Sequence, residues 1–439
     1  MDPRLRSLSK KEEKQPMDSI PTLMGLNGLI YKVPMDSSLS VQRNLQTFNF
    51  DSTSYNNASP SMSVNFQAGS GYINCATSYV AFQLDVSSTT VDTEATQFGF
   101  GIGSASNLFR TNIVTTRSGS EVDRFQNANV LLPHIHRGKN PAEWFKSVGA
   151  LAGYSPDVVE GKEDKYAVAD SHDFVIPLSH FAGIFTSKQL MPSQLASGMR
   201  MDCQLEGILT ALRAYKADGN GYEDPLLAYT ISNPKLVLDV SILSDGALAQ
   251  LTQQAGKNGL EYSFSTYANE ASTTSSAAIN VQFSRSVARA LRCYVIPRET
   301  SELNKSAVDS FDTGTGVIDD GDTLVYDRVQ FQIGSTYFPN REIQNNAQVY
   351  ANLLQTLGQY SGHAYGALTK SDFVDNGFAV ASTSFETSAL IRASGTSVNN
   401  SRSLLINLTL ANSKSRDVQS YLEYQVILRA NLANVNVTS

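Results

Sequence analysis

The sequence is short of charge. Only 17% of its 439 residues are Asp, Glu, Lys or Arg, against about 25% in ordinary globular proteins, and 34 Lys+Arg against 41 Asp+Glu leave a formal net charge of −7. A chain that is negative overall does not coat a polyanion, because affinity for phosphate comes from Lys and Arg displacing counterions. Cysteine is scarce as well. Cys75, Cys203 and Cys293 are odd in number and far apart, which excludes a disulfide framework and a CxxC-type zinc site. Each lies in an apolar stretch, so buried free thiols in a reducing compartment are expected. No apolar run approaches the roughly 18 residues of a transmembrane helix. Residues 1–19 carry charges with no apolar core behind them, so no signal peptide is expected and the product stays inside the cell or leaves by lysis. GxSxG, HExxH and Walker sequences are missing, so catalytic, cofactor-binding and metal residues are all read as none.

What the chain has in quantity is alternation. SMSVNFQA (61–68), HDFVIPL (172–178), MRMDCQLEG (199–207), AINVQFSRS (278–286) and SLLINLTL (403–410) place apolar residues at every second position between Gly-, Asn-, Asp- and Ser-rich turns. That is the pattern of half-buried strands, and many short ones at this spacing predict a sandwich or barrel. Helical patterns are few. NPAEWFKSVGALAG predicts a helix over 140–153, with Asn140 as N-cap and Pro141 at the first helical position. NAQVYANLLQTLGQY predicts one over 346–360, with Val349, Leu353, Leu354 and Leu357 on one stripe and Asn345 or Asn346 as cap. A third, 245–259, has the look of a connector.

The same phrases occur twice in the same order. Phe48-x-Phe50 matches Tyr262-x-Phe264, SVNFQ (63–67) matches NVQFS (280–284), and 76–86 matches 287–297. Segment 109–132 then parallels 327–354, each reading strand, Gly-Ser turn, strand, Arg, Gln-Asn, helix, and 228–243 corresponds to 420–432. Five collinear pairings predict a duplicated β-domain with its boundary near 244–259. The predicted division is an N-terminal arm (1–35), a first domain (36–243), a linker helix (244–259) and a second domain (260–439). About eight strands and one helix per copy is the content of a jelly roll, so the expected fold class is all-β: two tandem eight-stranded jelly rolls with a few short helices.

The order of these elements resembles the double jelly-roll major capsid proteins of tailless icosahedral DNA viruses, a group that includes algal large DNA viruses, virophages and polinton-like viruses. The likeness is carried by FVIPLSHFAGIFTSKQLMPSQLASGMRMDCQLEG (174–207), TLVYDRVQFQIGSTYFPNREIQNNAQVYANLLQTLGQY (323–360) and NNSRSLLINLTL (399–410). It covers nearly everything after residue 36. The resemblance implies a non-enzymatic structural protein of the virion: a homotrimer forming pseudo-hexameric capsomers that tile an icosahedral shell. Its implied partners are neighbouring capsomers, penton and minor capsid proteins, with no sequence-specific nucleic-acid binding and no cofactor. On the same grounds the long loops 87–108 and 298–322 are expected to be outer loops and trimer contacts. The arm is expected to touch a neighbour or an internal membrane, since Asp2, Glu12 and Glu13 offset Arg4, Arg6, Lys10, Lys11 and Lys14.

Other motifs read as structural. Gly99-x-Gly101-x-Gly103 is not a GxGxxG sequence and reads as a loop between strands. His134 and His136 would share one face of a strand but lack a third ligand, and are expected in an exposed loop before the 140–153 helix. DGNGYED (218–224) departs from a calcium loop at Tyr222 and Glu223, and IDDGD (318–322) reads as a polar turn. Trp144 and the 39 Tyr and Phe residues read as core and interface anchors. The alternative from another class is a glycan-binding or glycan-hydrolysing β-sandwich, fibre- or adhesin-like. It calls for clustered aromatics or an acidic pair in one loop cluster, which no segment supplies.

Overall fold

The computed structural model describes residues 40–88, 95–157, 164–168, 170–216, 226–249, 251, 260–305, 309–313, 325–359, 366–375, 377–386, 395–399, 401–430 and 435–438. Its first eight principal strands are β1 (Ser40–Asn49), β2 (Ser61–Gln67), β3 (Tyr72–Ser88), β4 (Phe109–Thr115), β5 (Glu121–Phe125), β6 (Ser171–Pro177), β7 (Ser197–Leu205) and β8 (Leu226–Leu243). They pair antiparallel into two sheets, β1-β8-β3-β6 and β2-β7-β4-β5. The next eight are β9 (Leu260–Thr274), β10 (Ala278–Phe283), β11 (Val287–Glu299), β12 (Tyr326–Ile333), β13 (Thr336–Ile343), β14 (Ala381–Ser384), β15 (Leu404–Leu410) and β16 (Arg416–Ala430). Their sheets are β9-β16-β11-β14 and β10-β15-β12-β13. Every strand of the first set has its counterpart eight places later, in the same sheet position. All five sequence pairings fall on such counterparts.

Alternation explains the sheets residue by residue. In β2, Met62, Val64 and Phe66 point inward and Ser61, Asn65 and Gln67 outward; in β15, Leu404, Ile406, Leu408 and Leu410 are the inward set. Ladder register stacks them into rows, for example Val281, Ile406 and Phe331 across β10, β15 and β12. Each such side chain contributes roughly 1.5–3 kcal/mol on burial. The apolar cluster does not stop at either sandwich but runs without a break from Phe50 to Leu428. The β12–β13 hairpin turns in two residues, Gly334-Ser335, with Gly334 at φ +61°, where a side chain would be strained.

The helices depart from expectation in one place. The main helix of the first half is Ala128–Lys139, and Asn140 is its C-cap rather than the N-cap of a following helix. Residues 140–153 hold only two short turns of helix, Ala142–Phe145 and Val148–Leu151. Pro133 lies inside the longer helix and Gly138 near its end, both of which argue against a helix locally. The cost of about 3 kcal/mol for an interior proline is offset by burying Val130, Leu131, Leu132 and Ile135. The second helix, Asn346–Thr356, begins as expected: the Asn345 side chain accepts from the Gln348 amide at 2.9 Å. Residues 245–249 are helical, and 252–259 of the expected connector lie outside the described residues. Among the described residues no helix is long and apolar enough to cross a membrane.

Phe331 is fully buried at the centre of β12, so Phe331→Ala is expected to cost about 3–5 kcal/mol. The exposed Val325→Ala should stay within about 0.5 kcal/mol, with urea unfolding followed by fluorescence as the comparison.

Candidate functional site

The residues that could carry chemistry are buried and paired off. Burial pushes the Cys75 thiol up to about 12, against a weaker pull from the Tyr262 hydroxyl 3.9 Å away, and raises Cys203 and Cys293 in the same direction. A thiol so held is a poor nucleophile. His134 and His136 are on the Ala128–Lys139 helix, neither on a strand nor in an exposed loop. Two residues apart on a helix they face different ways. The His134 Nε2 donates to the Phe311 carbonyl at 3.0 Å, while the His136 ring lies on Trp144 and beside His180, with ring centroids 5.6 and 4.1 Å apart. His180 had no local signal to mark it. Among the described residues no three His, Cys, Asp or Glu side chains converge as a metal site.

The glycine-rich segment does hold an anion, and the anion is the chain's own. Gly101 sits at φ +56°, where any Cβ would collide with the Asp309 carboxylate, which accepts from the Ile102 amide at 2.5 Å. Parts of the two long loops therefore meet each other. DGNGYED and IDDGD lie outside the described residues.

This contact is one end of a long seam between the two sandwiches. Phe125 of β5 stacks on Tyr267 of β9 at 5.1 Å. Beside it the buried Asp123 accepts from the Thr266 hydroxyl at 2.5 Å and the Ile184 amide at 2.8 Å. Burial raises this carboxyl to about 6 despite those donors. The Tyr262 hydroxyl donates to the Ile184 carbonyl at 2.7 Å. Gly183 lies so close to β9 that a Cβ would come within 2.3 Å of the Ser265 carbonyl oxygen. Further along, the carbonyls at the end of the Ala128–Lys139 helix are capped by the second half: Leu368 N–H donates to Arg137 at 3.2 Å, Ala367 N–H to Asn140 at 2.8 Å, and the Gln359 amide to Lys139 at 3.3 Å. Helix ends need such partners.

Comparison with solved structures follows the same architecture. The Faustovirus major capsid protein superposes with a TM-score of 0.59 at 11% identity, covering 95% of this chain and 96% of that one. The mavirus major capsid protein gives 0.55 at 10%, covering 96% and 94%, and the PBCV-1 virus capsid 0.58 at 11%, covering 93% and 99%. The chain is a double jelly roll. No family model matches it, and no curated protein does.

The two rolls use the seam unequally. In β9 of the second roll Tyr262, Phe264, Thr266 and Ala268 are buried, and Tyr262 and Thr266 bond to Ile184 and Asp123 of the first roll. The counterpart strand of the first roll, β1, is exposed along most of its length, with Val41 72% and Leu45 62% open to solvent. Asp51–Ser54 beyond it are exposed too, although Ser52 is the counterpart of Thr266. Among the described residues β1 ends its sheet, with β8 on one side only. Conversely, β5 of the first roll is mostly buried in the seam, whereas its counterpart β13 is largely open, with Tyr337 41% exposed. A cavity of about 370 Å³ adjoins β13, lined by Arg292, Phe338, Asn352, Gln355, Thr383 and Glu386, with Arg292 held by Glu386 at 2.6 Å and Glu423 at 3.2 Å.

Gly183→Ala is expected to lower stability by about 1–3 kcal/mol by prising β9 away, measured as a shift in the denaturation midpoint. The three thiols should resist an aromatic disulfide reagent in the native protein and react at once in concentrated guanidinium chloride.

Proposed function

We propose that this chain is the major structural subunit of an icosahedral viral capsid, and that three copies close into a pseudo-hexagonal ring of six jelly rolls. The double jelly-roll fold, matched over nearly the whole length by major capsid proteins, supports the first part. The observation that carries the second is the unequal use of the seam. Inside one chain, the β5 side of one roll grips the β9 edge of the next, a head-to-tail contact. Such a contact repeats until it closes into a ring or grows into a filament. Each chain then offers two unspent halves: the β1 edge with Val41 and Leu45, and the β13 face with its cavity. A long exposed edge strand with apolar side chains is otherwise a liability that soluble proteins blunt with charge or cover.

In this reading the arm spans 1–35, the first roll 36–243, the linker 244–259 and the second roll 260–439. The work of the protein is geometric rather than enzymatic. Packing, not reaction, is the task of its buried thiols and imidazoles. Its partners are neighbouring capsomers with penton and minor capsid proteins, its place is the virion, and the arm reaches a neighbour or an internal membrane.

Mass photometry and electron microscopy of the purified protein test this directly. Trimers of hexagonal outline are the expected result, and the double variant Val41→Asp/Leu45→Asp is expected to give monomers with an unchanged melting temperature. A wild-type protein that stays monomeric at micromolar concentration, or captures oligosaccharides as a monomer, would sink the reading.

A further inference from the structure

His136, half-buried, and His180, buried, form an imidazole pair for which the capsid role has no use. His136 comes from the Ala128–Lys139 helix and His180 from the turn Leu178–His180 that follows β6. Their rings are 4.1 Å apart, inside a box made by Trp144, stacked on His136 at an interplanar angle of 10°, and Tyr154, 5.8 Å from His136 and 6.3 Å from His180. His180 is 3% exposed and its Nδ1 has no hydrogen-bond partner. His136 Nδ1 accepts from the Asn140 amide at 3.1 Å. Both rings are therefore held neutral by their surroundings.

The charges around the pair make a proton unwelcome. On the same helix stand His134, Arg137, whose guanidinium lies 4.2 Å above the Phe145 ring, and Lys139. Arg298 faces His134 from the second roll. The carboxylates in range act elsewhere: Asp157, Asp164 and Asp372 on Arg137, and Glu386 and Glu423 on Lys139 and Arg292. None of them is hydrogen-bonded to either ring among the described residues. A proton on one imidazole would sit against the other ring, 4.1 Å away, with no carboxylate bonded to either, so opening the segment favours its entry.

We propose that this pair is an acid-sensitive latch: protonation of His136 and His180 opens the 128–157 segment and frees the first roll's helix from the second roll. The same helix supplies the Arg137, Lys139 and Asn140 carbonyls that the second roll caps, and the His134 bond to Phe311. Opening it therefore loosens the seam. Burial lowers His180 to about 3 and His134 to about 4, and holds His136 well below its ordinary value. Groups lowered in the closed state bind fewer protons there than when open. The closed state thus keeps its full stability above about pH 6.5, the ordinary value, and loses it as pH falls from there toward about 3. At pH 5 His180, lowered to about 3, favours opening by about 30-fold and His134, lowered to about 4, by about as much, while His136 adds to them in the same direction. Asp123 works in the opposite sense, because burial raises it. Ionised at neutral pH, it regains stability as pH falls through about 6, which offsets at most about tenfold by pH 5 if it opens too.

Hydrogen exchange followed by mass spectrometry on the full chain, between pH 7 and pH 5 and corrected for chemical exchange, reads this out. The opening constant of amides in 128–157 should rise about 10³-fold or more, while β2 and β15 hold. In His136→Gln/His180→Gln the rise should shrink to about 30-fold, the share of His134. Equal rises in both proteins, or no rise at all, would overturn the latch. Should the variant fail to fold, a carbon-detected imidazole titration of the wild type decides instead. Neither ring should titrate while the segment stays closed, and a ring titrating near its ordinary value with exchange unchanged refutes the idea. The latch lies within one chain, so the outcome is independent of whether the chain trimerises.

Discussion

The covering of one strand edge governs the arrangement of this molecule. A β-sandwich satisfies its apolar faces internally but leaves backbone groups exposed at the sheet ends. At β9 the second roll solves this by lying against the first, with Gly183 removing the one side chain that would hold the two backbones apart. From that approach follow the Phe125–Tyr267 stack, the placement of Asp123 under Thr266, and the capping of the first helix by the second roll. Low surface charge fits the same picture, since faces that meet other faces are costly places for unpaired ions.

In the second roll the buried arginines are matched by carboxylates. Arg298 pairs with Asp417 at 2.6 Å, Arg292 with Glu386 and Glu423, and Arg416, 2% exposed, shares Glu299 with Lys414. These pairs lie in the second roll, around β11 and β16. The first roll holds its buried Asp239 with Arg43 and carries a dense set of aromatic contacts, edge-to-face between Phe82 and Phe109 and between Phe109 and Phe181. Two copies of one topology thus weight ion pairs and aromatic contacts differently.

Strands were legible in the residues because one face of each is wet: period-two alternation survives wherever a sheet has an inside and an outside. The repeat was legible for the same reason, since counterpart strands keep counterpart patterns. The Asn346–Thr356 helix announced itself through Asn345 and an unbroken apolar stripe. The Ala128–Lys139 helix did not, because Pro133 and Gly138 interrupt it and the His-x-His spacing mimics a strand. The seam was invisible. Asp123, Gly183 and Thr266 are single residues without periodicity, distant in sequence, and only the fold brings them together. The glycine-rich loop was legible as a loop, but that it holds a carboxylate depends on Asp309 arriving from the other roll.

The head-to-tail seam inside the chain also bears on how fast a ring could be built. Linking two rolls covalently turns every second contact into an intramolecular one, formed at an effective concentration in the millimolar range for a short connector rather than at the concentration of free subunits. Half the joints are then complete when the chain has folded. In the proposed ring only the remaining half would wait on diffusion, so fewer incomplete rings would form than from six separate rolls.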